Sequence, residues 1–453
     1  MQRHPSTATA REPLSPTARR AALAGFVGTF IEYFDFNLYA TLTVYLSPLF
    51  FPAADPSTSF LTGLAVFGAG FFARPIGGIL FGRLGDRNGR RSALIFSVIL
   101  MGVCSTLIGI LPTYAGIGIA ASVLLVLLRL GQGISAGSEM LGSITYVLES
   151  VPRSRRVLMA SLTPMGAMAG GGVGGVVVAL LSGILSKEDM AVYGWRIAFL
   201  ISAPLTVVAL LVRKRLEDSP EFTEMVAHRE ITRSPLREVL TAHRRNILIA
   251  GGVAIAANGA PGLSAWFATY LAGNRALPSS TVFVAMALSS FLTIGFAPLA
   301  GWLTDRIGQR KMFAAVLCGY LVLSVPALYL IGTVTSVAGL VAATFLYGVL
   351  AALVQAPAFT FIAELFPRHV RYTGANFGQN IGTVLGSGIA PLVGGLIFAA
   401  TGSSLGPAIW VAVVCVIAFA ALAMRSVQYV AGTTSADAGH ETAAGAAPDP
   451  VGG

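Results

Sequence analysis

Twelve apolar runs recur along the 453-residue chain, each long enough to cross about 30 Å of hydrocarbon as a helix of roughly 20 residues. They cover approximately residues 21–49, 59–81, 92–112, 117–148, 157–184, 195–212, 247–272, 281–303, 312–333, 336–362, 374–400 and 405–424. Hydrocarbon offers no water to the backbone, so each run must satisfy its own N–H and C=O groups, which an α-helix does. Composition agrees: 55% of the residues are hydrophobic and 11% charged, against about a quarter charged in soluble proteins. The chain reads as an all-α membrane protein.

Charge sets the predicted topology. With the N-terminus placed inside, the basic residues crowd the inner segments, from Arg19 and Arg20 through Arg83–Arg91, Arg153–Arg156 and the long middle loop to Arg306, Arg310, Arg368 and Arg371. Only Lys187, Arg196 and Arg275 fall on the other side, while Arg74 and Arg129 fall within apolar runs. Such asymmetry predicts cytoplasmic termini and explains the net charge of +10 without any nucleic-acid partner. Cys104, Cys318 and Cys415 have no metal or redox spacing and read as small buried residues. All five histidines fall in loops or tails, so none is available as a proton carrier within the membrane. The polar start carries no small-residue cleavage site, so no removable signal is expected. The stretch after Ser426, rich in Ala, Gly, Thr and Asp, reads as disordered.

Two loops repeat. GRLGDRNGRR (82–91) matches GWLTDRIGQR (301–310), pairing Asp86 with Asp305, Gly89 with Gly308 and Arg91 with Arg310. LESVPRSRR (148–156) matches AELFPRHVR (363–371) at nearly the same offset, pairing Glu149 with Glu364 and Arg156 with Arg371. Two echoes at one spacing imply duplicated six-helix halves. The organisation expected is a tail at 1–20, bundles at 21–212 and 247–424, a linker at 213–246 and a second tail at 425–453.

With this loop motif between segments two and three and its copy between eight and nine, the chain resembles the major facilitator superfamily over all but its tails. EYFDFNLY, FFARPIGGILFGRLGDRNGRR, RLGQGISAGSEM and LEDSPEF resemble the metabolite:proton symporters, whose members carry shikimate, α-ketoglutarate, citrate, or proline and betaine. Ser138 departs from the Gly usual there. The resemblance implies the major facilitator fold, twelve transmembrane helices in two pseudo-symmetric six-helix bundles, and alternating access with protons as the coupling ion and no other cofactor. It also implies that the loop motifs form a cytoplasmic latch: Gly82, Asp86, Arg87, Gly89, Arg90, Arg91, Asp305, Arg306 and Arg310, with Glu149 and Glu364 as partners.

Ionisable groups inside the apolar runs cost a few kcal/mol each and so face a cavity or a partner. Glu32, Asp35 and Tyr39 follow i, i+3, i+7 spacing on one face of the first segment. A midplane carboxyl that titrates near neutrality can carry a proton, which makes Asp35, then Glu32, the proton-coupling candidates. A structural ion pair with a buried arginine is the alternative. In the fourth segment Arg129, Gln132 and Glu139 share a face. Arg129 offers a fork for a carboxylate, and Glu139 is a proton-exit candidate or a satisfied structural acid. Arg74 is expected to reach toward the inner surface. Asn258, Gln355, Gln379 and Asn380 are candidates to complete a substrate cavity or to join helices; Trp266 and Tyr270 read as interface anchors. Glycines in segments five and eleven read as packing surfaces. The G-x-S-x-G at Gly133–Gly137 lies in a continuous helix without a nearby His, so no enzyme is expected.

The reading is a proton-coupled symporter of a small organic acid in the inner membrane, contacting only lipid, solute and protons, and monomeric. Its alternatives are uptake of a zwitterionic osmolyte such as proline or betaine, and, more remotely, a transporter-like sensor. No metal site is expected.

Overall fold

The computed structural model describes residues 14–424 except 233, 265, 268–269, 272–278 and 335. The expected disordered tail beyond Ser426 therefore lies outside the described residues, as do Arg275, His4 and His440. Helices dominate. We label the long ones α1 (Pro16–Phe50), α2 (Pro56–Asn88), α3 (Arg90–Ile110), α4 (Ile119–Ser150), α5 (Arg153–Ile184) and α6 (Lys187–Lys214) in the first half. The second half holds α7 (Arg244–Gly262), α8 (Val284–Ile307), α9 (Gln309–Thr333), α10 (Val337–Glu364), α11 (Arg371–Thr401) and α12 (Ala408–Ala423). Among the described residues nine of these are long and apolar enough to cross a membrane. α12 is a shorter apolar helix, and α1 carries Glu32 and Asp35 in its middle.

The first helix starts inside the segment read as tail. Ser15 caps it, its hydroxyl accepting from the Ala18 amide at 3.1 Å, and Pro16 occupies a first-turn position where no amide is needed. Between the halves, the segment read as a plain linker holds two short helices, Pro220–Ala227 and Pro235–Ala242. Each starts with a proline preceded by a serine.

Small residues bring the helices together, as lipid-embedded helices require. α1 packs on α5, where Gly166, Gly170 and Gly174 lie against the carbonyls of Phe26, Phe30 and Phe34. α2 packs on α4 through Gly70 against Gly133 and Gly137 against the Arg74 carbonyl. In the second half, Gly378, Gly382 and Gly386 of α11 meet Ala250, Ala254 and Gly259 of α7. The expectation of glycine packing in segments five and eleven is met, although α11 also contains a π-turn at Val384–Gly388. The halves meet where α2 packs on α11 and α5 on α8.

Three expectations are corrected. Trp266 and Tyr270 are buried and stacked on each other, ring centroids 4.9 Å apart, with Phe398 against both; they are core rather than interface anchors. Cys104 and Cys415 are buried but Cys318 is exposed, on the outer surface of α9. Arg213, counted as a loop charge, is a buried residue in the last helical turn of α6.

Candidate functional site

The five charges within the apolar runs of the first half, Glu32, Asp35, Arg74, Arg129 and Glu139, do not form one cluster. Although Glu32 and Asp35 sit a single turn apart, they turn to different neighbours. Glu32 receives Nη2 of Arg74 at 3.4 Å, and its second oxygen has no partner among the described residues. Arg74 is buried between the rings of Phe36 and Phe71, 4.7 and 4.8 Å from their centroids. It does not snorkel, because an internal carboxylate and two aromatic faces replace the water it would otherwise seek.

Asp35 is fully buried and has no ion pair among the described residues. Its Oδ2 accepts from Ser105 of α3 at 2.5 Å and its Oδ1 accepts from Ser202 of α6. Ser105 in turn accepts from Nε2 of Gln132 at 2.7 Å, and Oε1 of Gln132 accepts from Nη1 of Arg129 at 2.6 Å. Arg129 thus connects to Asp35 through two intermediate side chains. Its guanidinium lies over the rings of Tyr39 at 4.2 Å, Phe36 at 4.9 Å and Phe67 at 5.5 Å. Nε and Nη2 of Arg129, the edge that can grip a carboxylate with two parallel bonds, have no partner among the described residues. Tyr39 completes the wall, its hydroxyl 3.4 Å from the Gly63 carbonyl.

Glu139 belongs to a separate arrangement nearer the basic loops. Both its oxygens accept from Arg213, and Ser97 and Ser143 add bonds at 2.9 and 3.1 Å. Arg213 also donates to the Leu94 carbonyl. Gly28 of α1 leaves the space that this pair fills. Nothing in the letters marked Arg213, since it opens the basic run Arg213-Lys214-Arg215. Ser105 and Ser202 were equally silent, being two neutral residues among many.

The polar candidates of the second half are dispersed. Asn258 donates to the Ala254 carbonyl of its own helix at 2.8 Å. Asn380 donates across the halves to the Gly137 carbonyl at 2.5 Å and to Asn376 at 2.7 Å, which makes it a helix-to-helix contact here. Gln379 reaches Thr383 at 3.4 Å. Gln355 is half-buried and its Oε1 is without a partner among the described residues.

The loop motifs lock the two halves together at the basic face. Asp86 accepts from the amides of Tyr372 and Thr373, at 3.2 and 2.8 Å, at the start of α11. Asp305 accepts from the amides of Val157 and Leu158, at 3.0 and 2.9 Å, near the start of α5. Each aspartate therefore sits on a helix N-terminus of the opposite half, where unpaired amides and the helix dipole favour an anion. Gly89 and Gly308, at φ of 100° and 88°, make the turns that follow, a conformation costly to any residue with a Cβ. Arg90 bridges Asp86 at 3.0 Å, Glu149 at 3.2 Å and the Arg368 carbonyl at 2.9 Å. Arg371 reaches Glu149 at 3.3 Å, and Arg156 reaches Glu364 at 2.8 Å. The second copy has Gln309 where Arg90 stands, so its Glu364 lacks the equivalent clamp. Gly82 packs on the Thr373 backbone. Arg87 and Arg306 point outward, Arg306 lying 3.8 Å over Trp302, and Arg310 donates to the Leu422 carbonyl; Arg91 donates to Asp218 and to the Lys214 carbonyl. Among the described residues, these four make no bond across the halves. The segment between the halves joins the lock instead: Ser219 donates to Glu149 at 2.5 Å, and Glu221, Glu224 and Glu238 meet Arg371, Arg368 and His369.

Twelve membrane helices in two halves, with charge buried inside the first half and a lock at one face, define a membrane transporter. The chain belongs to the Major Facilitator Superfamily, whose family model matches residues 25–383 and, in a second placement, 285–446. It is 36% identical to the inner membrane metabolite transport protein YhjE of Escherichia coli, over 83% of this chain and 86% of that one. It is 33% identical to the proline/betaine transporter of Salmonella typhimurium, over 88% of this chain and 81% of that one. The fold matches the solved proton:xylose symporter XylE bound to 6-bromo-6-deoxy-D-glucose with a TM-score of 0.74 at 15% identity, covering 90% of this chain and 94% of that one.

Proposed function

We propose that this transporter is a proton-coupled symporter of a small carboxylate-bearing solute, an organic acid in the first instance, working by alternating access in the inner membrane. The observation that carries the reading is the buried pair of unlike sites in the first half. Among the described residues, Asp35 is held by two hydroxyls and no cation, and one edge of the Arg129 fork has no partner. Hydroxyls donate or accept as required, so Asp35 can gain a proton without stranding its neighbours. An arginine offers donors only, and Glu139 is enclosed by two nitrogens of Arg213 and the hydroxyls of Ser97 and Ser143, an arrangement that favours a structural role. Glu32 remains the secondary proton candidate.

The lock at Asp86, Arg90, Glu149 and Asp305 is assigned to the cytoplasmic face, with both termini on that side, because the basic loops gather there. It closes the inner side and opens when the halves rock. A second reading, uptake of a zwitterion such as proline or betaine, draws on the rings of Phe36, Tyr39 and Phe67 around Arg129. These rings can also face an ammonium group. The Salmonella relative, a proline/betaine transporter, points the same way.

The test is uptake into proteoliposomes under an imposed inward proton gradient, across mono-, di- and tricarboxylates, shikimate-like acids, proline and betaine. Accumulation that collapses with a protonophore is expected for one of these classes. Uptake of every responsive solute that ignores both the gradient and the protonophore would end the symport reading.

A further inference from the structure

The hydrogen bonds between Arg129 and Asp35 all run one way. Arg129 donates to Gln132, Gln132 to Ser105, and Ser105 to Asp35. The orientation of the Gln132 amide follows from chemistry, since a guanidinium is a donor only and must face the carbonyl oxygen. We propose that Ser105 and Gln132 are positioning residues that transmit occupancy of Arg129 to the protonation of Asp35, making the two events mutually favourable. The inference rests on the symport reading above and adds the residues that make solute and proton depend on each other.

The free state has a positive Arg129 within Coulombic range of Asp35 and a donor chain that ends on the Asp35 carboxylate. A solute carboxylate on the free Nε and Nη2 edge offsets the charge of Arg129 and draws the guanidinium toward itself, which weakens its bond to Gln132 and loosens the chain. Asp35 then gains a proton from water. The proton adds to Oδ1, the new O–H donates to Ser202 Oγ, and the Ser202 hydroxyl turns to a carbonyl one turn back on its own helix, as helical serines do. Ser105 stays a donor to Oδ2, held in that sense by Gln132. By linkage, a protonated Asp35 in turn favours solute on Arg129 by the same factor, which is the sign symport requires.

Among the described residues, the charged and titratable groups within electrostatic range of Asp35 are few. They are Arg129 from α4, Cys104 from α3 and Glu32 on α1 itself; α6 contributes Ser202. Of these only Arg129 is joined to Asp35 by a chain of hydrogen bonds.

The experiment measures binding of radiolabelled glycine betaine or succinate, whichever the wild type accumulates, to the purified full chain in acidic and alkaline medium. Carboxyl infrared difference spectra are recorded on solute addition, with Asp35→Asn identifying the signal of Asp35. Wild-type affinity is expected to change with pH by a factor within the about 5- to 150-fold typical of coupled sites, and solute is expected to raise a protonated-carboxyl signal. Ser105→Ala should flatten the pH dependence and remove that signal, Ser105→Thr should restore both, and Thr106→Ala, which removes a hydroxyl on the same helix that bonds the Gly102 carbonyl, should behave as wild type. If Ser105→Ala fails to assemble, Gln132→Leu cuts the chain one link nearer Arg129 and is read in the same way. Wild-type pH dependence in the cut variant overturns the relay while leaving symport intact. A wild type whose uptake ignores the proton gradient overturns symport itself, so the two failures are distinguishable.

Discussion

At the scale of single residues, the partner of each buried acid decides what that acid can do. Asp35 lies among hydroxyls, which donate or accept as required, whereas Glu139 faces two nitrogens of Arg213, which only donate. Asp35→Asn should therefore abolish accumulation driven by a proton gradient while solute exchange persists, as read by counterflow in proteoliposomes. Arg129→Lys keeps the charge but loses the planar fork; its apparent affinity for the transported solute should fall by about tenfold or more, given the strength of charge-assisted paired bonds. Removing Arg213 leaves a buried, unpaired carboxylate, so Arg213→Ala should destabilise the protein by about 3–5 kcal/mol. Thermal unfolding in detergent checks this, and Arg213→Leu combined with Glu139→Leu should recover much of the loss.

At the scale of helices, two kinds of contact do different work. Glycine faces fix which helices pack together within a half. Gly137 is pressed onto the Arg74 carbonyl, so Gly137→Val should separate α2 from α4 and prevent assembly, seen as loss of monodisperse protein after solubilisation. The aspartate caps hold the halves to each other, and charged hydrogen bonds of this kind contribute about 1.5–3 kcal/mol. Asp86→Asn, which weakens the cap on α11 and removes one of the two carboxylates that Arg90 bridges, should shift the population toward opening at the basic face. Increased labelling of cysteines introduced beneath the lock, on α10 or α4, measures that shift; labelling identical to the parent protein would count against the latch role. The loop echoes made the paired aspartates visible in sequence, but their amide partners on the opposite half were not, because helix N-termini carry no sequence mark of what will dock on them.

At the scale of the molecule, the number of helices, the duplication and the charge asymmetry were legible from one-dimensional pattern. Apolar length is set by bilayer thickness, and repeated motifs survive as repeated letters. Intramembrane charges were visible for the same reason: Glu32, Asp35, Arg74, Arg129 and Glu139 interrupt runs in which charge is expensive. Pairing was not legible. Arg74 finding Glu32, Arg213 finding Glu139, and Asp35 finding two serines on α3 and α6 are outcomes of how six helices rotate and close around each other. Helical spacing places side chains on a face but does not say which neighbouring helix that face meets. The pattern of letters alone is enough for a duplicated helical bundle with buried charge, because apolar runs of about 20 residues satisfy their backbones as helices and the loop motifs repeat. Only the tertiary structure decided which buried acid is clamped by a guanidinium and which is left among hydroxyls, because that depends on contacts between distant segments.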